Sequence, residues 1–341
     1  MRAVVISDVG GLEVASVPDP VVGLGDVVVR VERCGICGSD LHLLKTGVAP
    51  AGCVLGHEVC GTVAAVGGGV SSVREGDRVV VFPCRRCGRC ASCLRGESVM
   101  LCDQGPAGWL GVSFPGGYAE YLATPAETLW KVPDEMGWDV ASLVEPYTVA
   151  LHARERSRVG TRGAGSVDGV GILGGGPIGL MVLAALRAAG VENIVVGEPK
   201  ERRAQVALEL GAAAAGPSLE AALGDGPLPE VVFDCTGIPV GPGLALASTR
   251  KGGETVLAAM ALEGDMAVPG STFFLHEGSM VVSTAYTEAE FGRAIDELGG
   301  EAGRDLLGVI SGSVSLGEVS ETFVALTQPD APVKCQVAPW Q

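Results

Sequence analysis

Short runs of β-branched and other apolar residues, broken by glycine, dominate the first part of the chain. They lie at 26–31, 61–66, 78–82 and 118–122. Many short strands separated by turn residues are typical of barrel-like β structure. We therefore predict a β-barrel domain over residues 1–150.

The apolar pattern changes after this region. Strand-like runs at 170–173, 193–196 and 231–234 alternate with Ala- and Leu-rich helical segments at 179–189 and 200–210. This alternation predicts an α/β fold in which residues 151–286 form a Rossmann-type, doubly wound parallel sheet. The charged, glycine-rich segment 154–168 predicts an exposed connection, and the tail, 287–341, returns to mixed short elements.

Length and composition agree with two packed domains. The chain has 341 residues, of which 47% are hydrophobic and 19% are charged. This length exceeds what one hydrophobic core usually serves, and the high apolar fraction excludes a disordered protein. The formal net charge of −16 repels nucleic-acid phosphates and anionic lipids, so we expect neither nucleic acid nor a membrane as a partner.

Two further features bear on the cellular compartment. Residues 1–8 lack the apolar region and the small-residue cleavage site of a secretion signal, and the weakly charged stretch 170–191 is interrupted by glycines, a proline and Arg187. We therefore expect neither a secretion signal nor a membrane span. Eleven cysteines, several in metal-like spacing, fit a reducing compartment better than a disulfide framework, which predicts a cytoplasmic protein.

A candidate metal site lies in the β-rich region. Cys37 is followed closely by Ser39 and His42, and a separate segment carries His57 and Glu58. A thiolate and an imidazole from different segments can bind one Zn²⁺, and three protein ligands leave the fourth position for water or substrate. The pattern therefore predicts an open, catalytic zinc site.

A second cluster has the spacing of a closed metal site. Its five cysteines are Cys84, Cys87, Cys90, Cys93 and Cys102. Four thiolates complete the tetrahedron around one Zn²⁺ and leave no position for a substrate. A zinc ion bound here would therefore be structural.

The glycine-rich segment from Gly174 to Gly179 connects a predicted strand to a predicted helix. In this context Gly174 permits a tight turn, Gly176 lets the backbone approach a pyrophosphate, and Gly179 permits close packing of the helix on the strand. Free N–H groups at a helix N-terminus attract phosphate, so Pro177 and Ile178 complete the candidate dinucleotide-binding loop.

Glu198 lies at the end of the next predicted strand. A carboxylate in this position accepts hydrogen bonds from the adenosine ribose hydroxyls and repels a 2′-phosphate, which predicts NAD as the cofactor. The basic residues Lys200, Arg202 and Arg203 leave NADP as the less favoured alternative, and Arg203 is a further candidate cofactor-binding residue.

These motifs together resemble a known family. The segment from Gly56-His57-Glu58 to Val70, with the later Glu75-Gly-Asp-Arg-Val79, is similar to the signature of zinc-containing alcohol and polyol dehydrogenases of the medium-chain dehydrogenase/reductase superfamily. The resemblance extends over nearly the whole chain. It implies that the β domain is a GroES-like catalytic domain, that the segment 287–341 returns to it, and that subunits form a homodimer or homotetramer.

The resemblance also implies roles for single residues of the open site. The implied residues are Cys37 and His57 as zinc ligands, Ser39 and His42 as the proton relay, and Glu58 as a catalytic residue that exchanges with water as a ligand. Glu145 stands where the sorbitol, threonine and glucose dehydrogenase branches carry a carboxylate, bound to zinc directly or through water. The alternative role for Glu145 is that of a helix N-terminal carboxylate.

In the cysteine cluster, the family pattern selects the four residues Cys87, Cys90, Cys93 and Cys102 for the structural zinc. This pattern does not include Cys84. The gap between Cys93 and Cys102 is longer in this chain than in the usual family pattern.

We interpret the chain as a zinc-dependent, NAD-linked enzyme that takes hydride from a secondary hydroxyl of a polyol, sugar or related hydroxy compound. One alternative substrate is a simple secondary alcohol or an amino alcohol such as threonine. An alternative from another class is a non-catalytic nucleotide-binding protein with the same fold. For subunit association, the candidate edge strands are 279–283 and 308–311.

Overall fold

Two large β-sheets organise the chain, one in each of two compact units. The computed structural model describes residues 1–103, 108–261, 264–328 and 330–341. The first unit comprises Met1–Glu145, Thr287–Gly300 and Ile310–Gln341, and the second comprises Pro146–Tyr286 and Glu301–Val309. The sequence places the domain borders after residues 150 and 286, and those borders stay a prediction.

The β-rich part begins with a hairpin and continues with the strands that support the candidate metal site. Its elements are β1 (Arg2–Ile6), β2 (Leu12–Ser16), β3 (Asp26–Gly35), α1 (Gly38–Thr46), β4 (Glu58–Val66), β5 (Arg78–Val81), α2 (Ala91–Leu94), β6 (Tyr121–Pro125), β7 (Leu129–Lys131) and α3 (Trp138–Ala141). Short 3₁₀ turns occur at Val99–Leu101 and Ala126–Thr128.

The middle of the chain alternates helices and strands. Its elements are α4 (Val144–Arg156), α5 (Arg158–Arg162), β8 (Val170–Leu173), α6 (Pro177–Ala188), β9 (Ile194–Gly197), α7 (Glu201–Glu209), β10 (Ala214–Gly216), α8 (Leu219–Leu223), β11 (Val231–Asp234), α9 (Gly241–Ala247), β12 (Glu254–Leu257), α10 (Gly270–His276) and β13 (Ser279–Val282), with a 3₁₀ turn at Ala164–Ser166.

The tail contributes elements to both units. They are α11 (Glu288–Leu298), α12 (Glu301–Leu306), β14 (Ile310–Val314), α13 (Val319–Leu326) and β15 (Lys334–Val337), with 3₁₀ turns at Leu307–Val309 and Leu316–Glu318. The sequence assigns all of 287–341 to one returning segment, whereas Glu301–Val309 lies in the second unit.

The sheet of the first unit has seven strands in the order β14-β15-β3-β4-β5-β7, and β6 also pairs with β3. β15 runs antiparallel to β3, with Gln336 opposite Gly35 and Val337 opposite Cys34. A strand from the end of the chain therefore lies beside the segment that leads into Cys37. The predicted GroES-like β domain is confirmed.

The sheet of the second unit has six strands in the order β10-β9-β8-β11-β12-β13. All of its pairs are parallel, so the predicted doubly wound, Rossmann-type sheet is confirmed. The predicted edge strand at 279–283 corresponds to β13, which lies at one edge of this sheet. The alternative at 308–311 is wrong, because β14 pairs with β15 in the first unit.

The expected exposed connection at 154–168 is helical over much of its length. α4 continues to Arg156, and α5 follows directly. Arg154 is only 6% exposed because its guanidinium donates a hydrogen bond of 2.7 Å to the backbone carbonyl of Ala185 near the end of α6. Residues 160–163, 165, 166 and 168 are exposed, as expected, whereas Arg154 at the start of the segment is buried.

Candidate active site

Cys37 and His57 are placed by two different turns. Cys37 is the residue that precedes α1, so its side chain lies at the helix N-terminus. His57 follows Gly56, whose φ of 97° is in the left-handed region. A Cβ on Gly56 would lie 2.7 Å from the Tyr118 ring, so only glycine allows this turn to bring His57 next to the β-sheet core.

The two turns bring three potential metal ligands together. One ligand atom from each of Cys37, His57 and Glu58 lies within 4.8 Å of the others. Sulfur, imidazole nitrogen and carboxylate oxygen are the donors that zinc accepts in proteins, and three of them leave an open position. The donor set therefore fits a catalytic zinc ion.

Glu145 does not belong to this group of three. It lies in the first turn of α4 and is 6% exposed. Burial by itself would lower the pKa of Lys334, but the negative charge of Glu58 outweighs it and raises that pKa, and the charge of Glu145 adds a smaller contribution in the same direction. Its role as a zinc ligand stays a prediction.

A fully buried carboxylate supports two of the three ligands. Asp40 accepts a hydrogen bond of 3.1 Å from the backbone N–H of Cys37, and its other oxygen lies 3.4 Å from Nδ1 of His57. Burial by itself would raise the pKa of Asp40, but the positive charge of His57 outweighs it and lowers that pKa. Because Nδ1 faces Asp40, Nε2 of His57 remains for a metal ion.

The same charges act on the histidine. Burial by itself would lower the pKa of His57, but the negative charges of Asp40 and Cys37 outweigh it and raise that pKa well above its ordinary value. These negative charges favour a cation at this place, and a metal ion bound to Nε2 would take the place of the proton.

Glu58 is held by a lysine from the end of the chain. Nζ of Lys334 lies 2.6 Å from Oε1 and 2.5 Å from Oε2 of Glu58, and it also donates to the carbonyl of Ile36 at 2.9 Å. Neither side chain is more than 2% exposed. A Cβ on Gly35 would lie 1.8 Å from Oε2 of Glu58, so the glycine makes room for this carboxylate.

Ser39 and His42 both lie on α1 and are half-buried. Residues three apart share one face of a helix, so the two side chains are neighbours. Their role as a proton relay stays a prediction.

The cysteine cluster forms a second group with a different ligand set. The sulfur atoms of Cys87, Cys90, Cys93 and Cys102 all lie within 4.8 Å of one another. Sγ of Cys87 accepts a hydrogen bond of 3.4 Å from the N–H of Cys90, and Sγ of Cys102 accepts one of 3.5 Å from the N–H of Cys87. Backbone N–H groups lower the pKa of Cys87 and of Cys90. Four thiols in this arrangement fit a structural zinc ion.

Cys84 is not part of that group. It is 3% exposed, and burial raises the pKa of its thiol to about 12. It therefore behaves as a small buried side chain, as expected of a cysteine that the motif leaves over.

The glycine-rich loop lies between β8 and α6 of the second unit. Gly174 has a φ of 97°, which is the left-handed conformation of a tight turn. A Cβ on Gly179 would lie 1.9 Å from the carbonyl oxygen of Gly174, whereas a Cβ on Gly176 would meet only the Arg203 guanidinium, at 3.8 Å. The backbone at Gly176, where α6 begins, is therefore open to a phosphate group, and the loop fits a dinucleotide.

Glu198 is buried, with 5% of its surface exposed. Its carboxylate accepts hydrogen bonds from the N–H of Gly175 at 2.7 Å and from the N–H of Lys200 at 2.8 Å. The side chain thus connects the end of β9 to the glycine-rich loop. Arg203, in α7, lies near the same glycine-rich loop, because its guanidinium is the group closest to a Cβ built on Gly176.

Sequence reasoning missed Asp40, Tyr118 and Lys334. Asp40 follows Cys37 by three positions, which is the spacing of a capping box and a usable signal. Lys334 opens the short strand Lys334–Val337, whose sequence Lys-Cys-Gln-Val does not reveal that the lysine is buried or which residue it contacts. Nothing in the sequence singles out Tyr118.

Among the described residues, no helix combines the length and the apolar character that a bilayer crossing requires.

Comparisons with known proteins agree with this geometry. Residues 23–134 match the alcohol dehydrogenase GroES-like domain, and residues 177–299 match the zinc-binding dehydrogenase family. The chain is 33% identical over 339 residues to L-threonine 3-dehydrogenase of Streptomyces coelicolor, which covers 92% of each protein.

Two solved structures extend the likeness to the whole fold. The 2R,3R-butanediol dehydrogenase of Bacillus subtilis is 30% identical, with a TM-score of 0.84 over 99% of both chains. An alcohol dehydrogenase of Escherichia coli CFT073 in complex with NADH is 27% identical, with a TM-score of 0.86 over 99% of both chains. The chain therefore belongs to the zinc-containing alcohol and polyol dehydrogenases of the medium-chain dehydrogenase/reductase superfamily.

Proposed function

We propose that this chain oxidises a secondary hydroxyl that has a second oxygen or nitrogen on the neighbouring carbon, with NAD as the hydride acceptor. The observation that carries the proposal is the group formed by Cys37, His57 and Glu58, which offers zinc three different donors and leaves a fourth position open. Zinc bound there supplies Lewis-acid chemistry, which brings the pKa of a bound hydroxyl from about 16 to about 7.

The chain's own residues would handle the proton and the cofactor. In this proposal Ser39 would accept the proton of the substrate hydroxyl while giving up its own hydroxyl proton, and His42, three positions along α1, would pass a proton on to solvent. Asp40 would keep His57 oriented with Nε2 available. The open backbone at Gly176 would receive the pyrophosphate of NAD at the start of α6.

The carboxylates favour a substrate with two neighbouring polar groups. Carboxylate oxygen is a harder ligand than a third thiolate and exchanges more easily with water, so it suits a metal that must accept two oxygens. Glu58 lies in the group of close ligand atoms, and Glu145 is a second buried carboxylate of the same unit, in the first turn of α4. Butanediol and threonine, on which two of the relatives act by name, both have this vicinal pattern.

Zinc analysis with a substrate screen tests the proposal. We expect roughly two zinc ions per chain, and NADH formation that is faster with vicinal diols, polyols and amino alcohols than with matched mono-alcohols. Threonine in this screen tests the amino-alcohol alternative. Fewer than one zinc per chain, or NADH binding with no turnover on any of these classes, would favour a non-catalytic protein.

Glu145→Ala tests whether Glu145, in place of Glu58, is the carboxylate ligand of the zinc ion. If Glu145 binds zinc, the variant loses zinc and kcat/KM falls by orders of magnitude, while Glu145→Cys keeps the metal and shifts the preference toward mono-alcohols. The exposed Glu135→Ala in the same unit is the control. Full zinc content and near-normal turnover in Glu145→Ala would leave Glu145 as a helix N-terminal carboxylate.

We also propose that Glu198 selects NAD. Both of its oxygens already accept backbone N–H groups, and each keeps a lone pair for a ribose hydroxyl. Glu198→Ala should raise the KM for NAD, because hydrogen bonds to the ribose are lost. It should also reduce the preference for NAD over NADP, because the 2′-phosphate of NADP is no longer repelled. Equal use of both cofactors by the wild type would assign the choice to Lys200, Arg202 or Arg203 instead.

The edge strand β13 supports a homo-oligomer. An open sheet edge can pair with its own copy across a two-fold axis, and Val282 at this edge is 55% exposed. On the preceding helix, Phe274 and Leu275 are 84% and 68% exposed. We propose a homodimer or homotetramer in the cytoplasm, and a monomeric mass by light scattering at micromolar concentration would contradict the association.

A further inference from the structure

Tyr118 lies behind the candidate zinc site and has no part in the chemistry proposed above. It is fully buried in the core of the first unit, and its ring packs edge-on against Phe323 with a centroid distance of 6.1 Å. The ring also borders Gly56, the residue that turns the chain into His57.

The hydroxyl of Tyr118 has a specific partner. It donates a hydrogen bond of 2.6 Å to Oδ2 of Asp40, and the carbonyl oxygen of Gly35 is 3.4 Å away. A short hydrogen bond from a phenol to a buried carboxylate is of the strong, charge-assisted kind. Packing alone does not require it, because a phenylalanine would fill the same space.

Asp40 in turn contacts two of the proposed zinc ligands, Cys37 and His57. The oxygen that accepts from Tyr118 also accepts from the N–H of Cys37, and the other oxygen faces Nδ1 of His57 at 3.4 Å. Rotation of the Asp40 carboxylate would therefore disturb both Cys37 and His57. Side chains that contact metal ligands in this way fix the orientation of those ligands and raise their affinity for the metal.

We propose that Tyr118 is a positioning residue for the zinc site, whose hydroxyl holds the Asp40 carboxylate in the orientation that aligns Cys37 and His57. The inference rests on the proposed zinc site in the first unit. The hydroxyl of Tyr118 contacts Asp40 and the carbonyl of Gly35, and neither is a proposed zinc ligand, so its effect on the site passes through Asp40.

The decisive variant is Tyr118→Phe, which keeps the ring and removes one oxygen. Oδ2 of Asp40 then keeps only the N–H of Cys37 as a hydrogen-bond donor. We expect the variant to release one of its zinc ions to a chelator faster than the wild type, with a loss of zinc affinity of up to the roughly 10- to 100-fold that removing a direct partner of a ligand costs. The second zinc ion, in the cysteine cluster, should be released at the wild-type rate.

Tyr121→Phe is the matched control. Its ring also makes an edge contact, with Trp340 at 5.4 Å, and it belongs to the same unit. The control should release both zinc ions at the wild-type rate. If Tyr118→Phe does the same, Tyr118 is a packing residue and the inference is wrong.

A double-mutant cycle tests the route through Asp40. If Tyr118 acts only by holding Asp40, Tyr118→Phe should add little to the zinc loss of Asp40→Asn. Additive losses would contradict that route. In zinc-saturated enzyme, the inference predicts a larger change in kcat than in KM for NAD.

The outcomes separate the two proposals. If the wild-type protein binds zinc only in the cysteine cluster, the proposed function is wrong, because it requires zinc in the open cluster. A wild type with both zinc ions, together with an unchanged Tyr118→Phe, would leave the proposed function in place and overturn this inference alone. If Tyr118→Phe does not fold, Asp40→Asn still tests the route: an unchanged zinc-release rate in that variant overturns the inference, because Tyr118 acts only through Asp40.

Discussion

The two metal-type clusters of the first unit gather their ligands in different ways. Cys87, Cys90, Cys93 and Cys102 come from one short segment, and backbone N–H groups of that segment donate to their sulfur atoms. In contrast, Cys37 lies at the start of α1, and His57 and Glu58 lie at the start of β4. The first cluster is local, and the second is assembled by tertiary structure.

The supports differ in the same way. The cysteine cluster is joined to α11 by the ion pair between Arg86 and Glu288, and Glu288 is 46% exposed. The open cluster is supported by Asp40 and Lys334, which are 0% and 2% exposed. A closed thiolate site can therefore serve stability, whereas an open site that must bind substrate needs rigid, buried partners.

The largest expected effect is on catalysis. Cys37→Ser should lower kcat/KM by at least roughly 10³-fold, because loss of the Lewis acid removes several kcal/mol of stabilisation. Metal analysis should find one zinc fewer per chain, with little change in melting temperature. The half-buried Cys53→Ser is the control and should keep both metal and turnover. If Cys37→Ser remains active, the assignment of catalysis to the open cluster and of stability to the cysteine cluster is wrong.

The next effect concerns the buried support of the open cluster. Lys334→Met leaves the carboxylate of Glu58 buried without its partner, which should cost about 3 to 5 kcal/mol in denaturant unfolding. The cost should be smaller in zinc-loaded protein if Glu58 is also a metal ligand. Adding Glu58→Gln to Lys334→Met should restore part of the stability, because the uncompensated charge is removed. If Lys334→Met is as stable as the wild type, the ion pair between Lys334 and Glu58 contributes nothing to stability.

Cys90→Ser tests the opposite role of the cysteine cluster. We expect a melting temperature several degrees lower, since about 1 kcal/mol corresponds to roughly 2 to 4 °C in a unit of this size. Turnover at low temperature should change far less. Cys84→Ala is the control for the leftover cysteine and should keep full zinc content. If Cys90→Ser lowers turnover as strongly as it lowers stability, the cysteine cluster does not have a purely structural role.

The smallest effect concerns the external support of the cysteine cluster. Glu288→Gln removes the 2.6 Å ion pair with Arg86, and we expect less than about 1 kcal/mol in the free energy of unfolding because Glu288 is partly exposed. Zinc content should be unchanged. A loss as large as that of Lys334→Met would mean that both clusters depend on their ion pairs to the same degree.

Much of the fold could be predicted from periodicity. The runs at 26–31, 170–173 and 231–234 became β3, β8 and β11, because a buried strand needs a continuous apolar sequence. The segment 154–168 could be predicted only in part: most of its residues from 160 onward are exposed, but its start is helical and Arg154 donates a hydrogen bond to a buried carbonyl that its charge does not reveal. The edge at 308–311 failed because the pattern of a strand does not tell which sheet it joins.

The sequence by itself determined the family, the identity of the cysteine and glycine motifs, and most potential ligands, because their spacing is local and each motif needs particular residue types. Only the tertiary structure brought Lys334 from the last strand onto Glu58, and Tyr118 onto Asp40. Both contacts join residues far apart in the chain, and their energy depends on complete burial, which no local pattern of residues encodes.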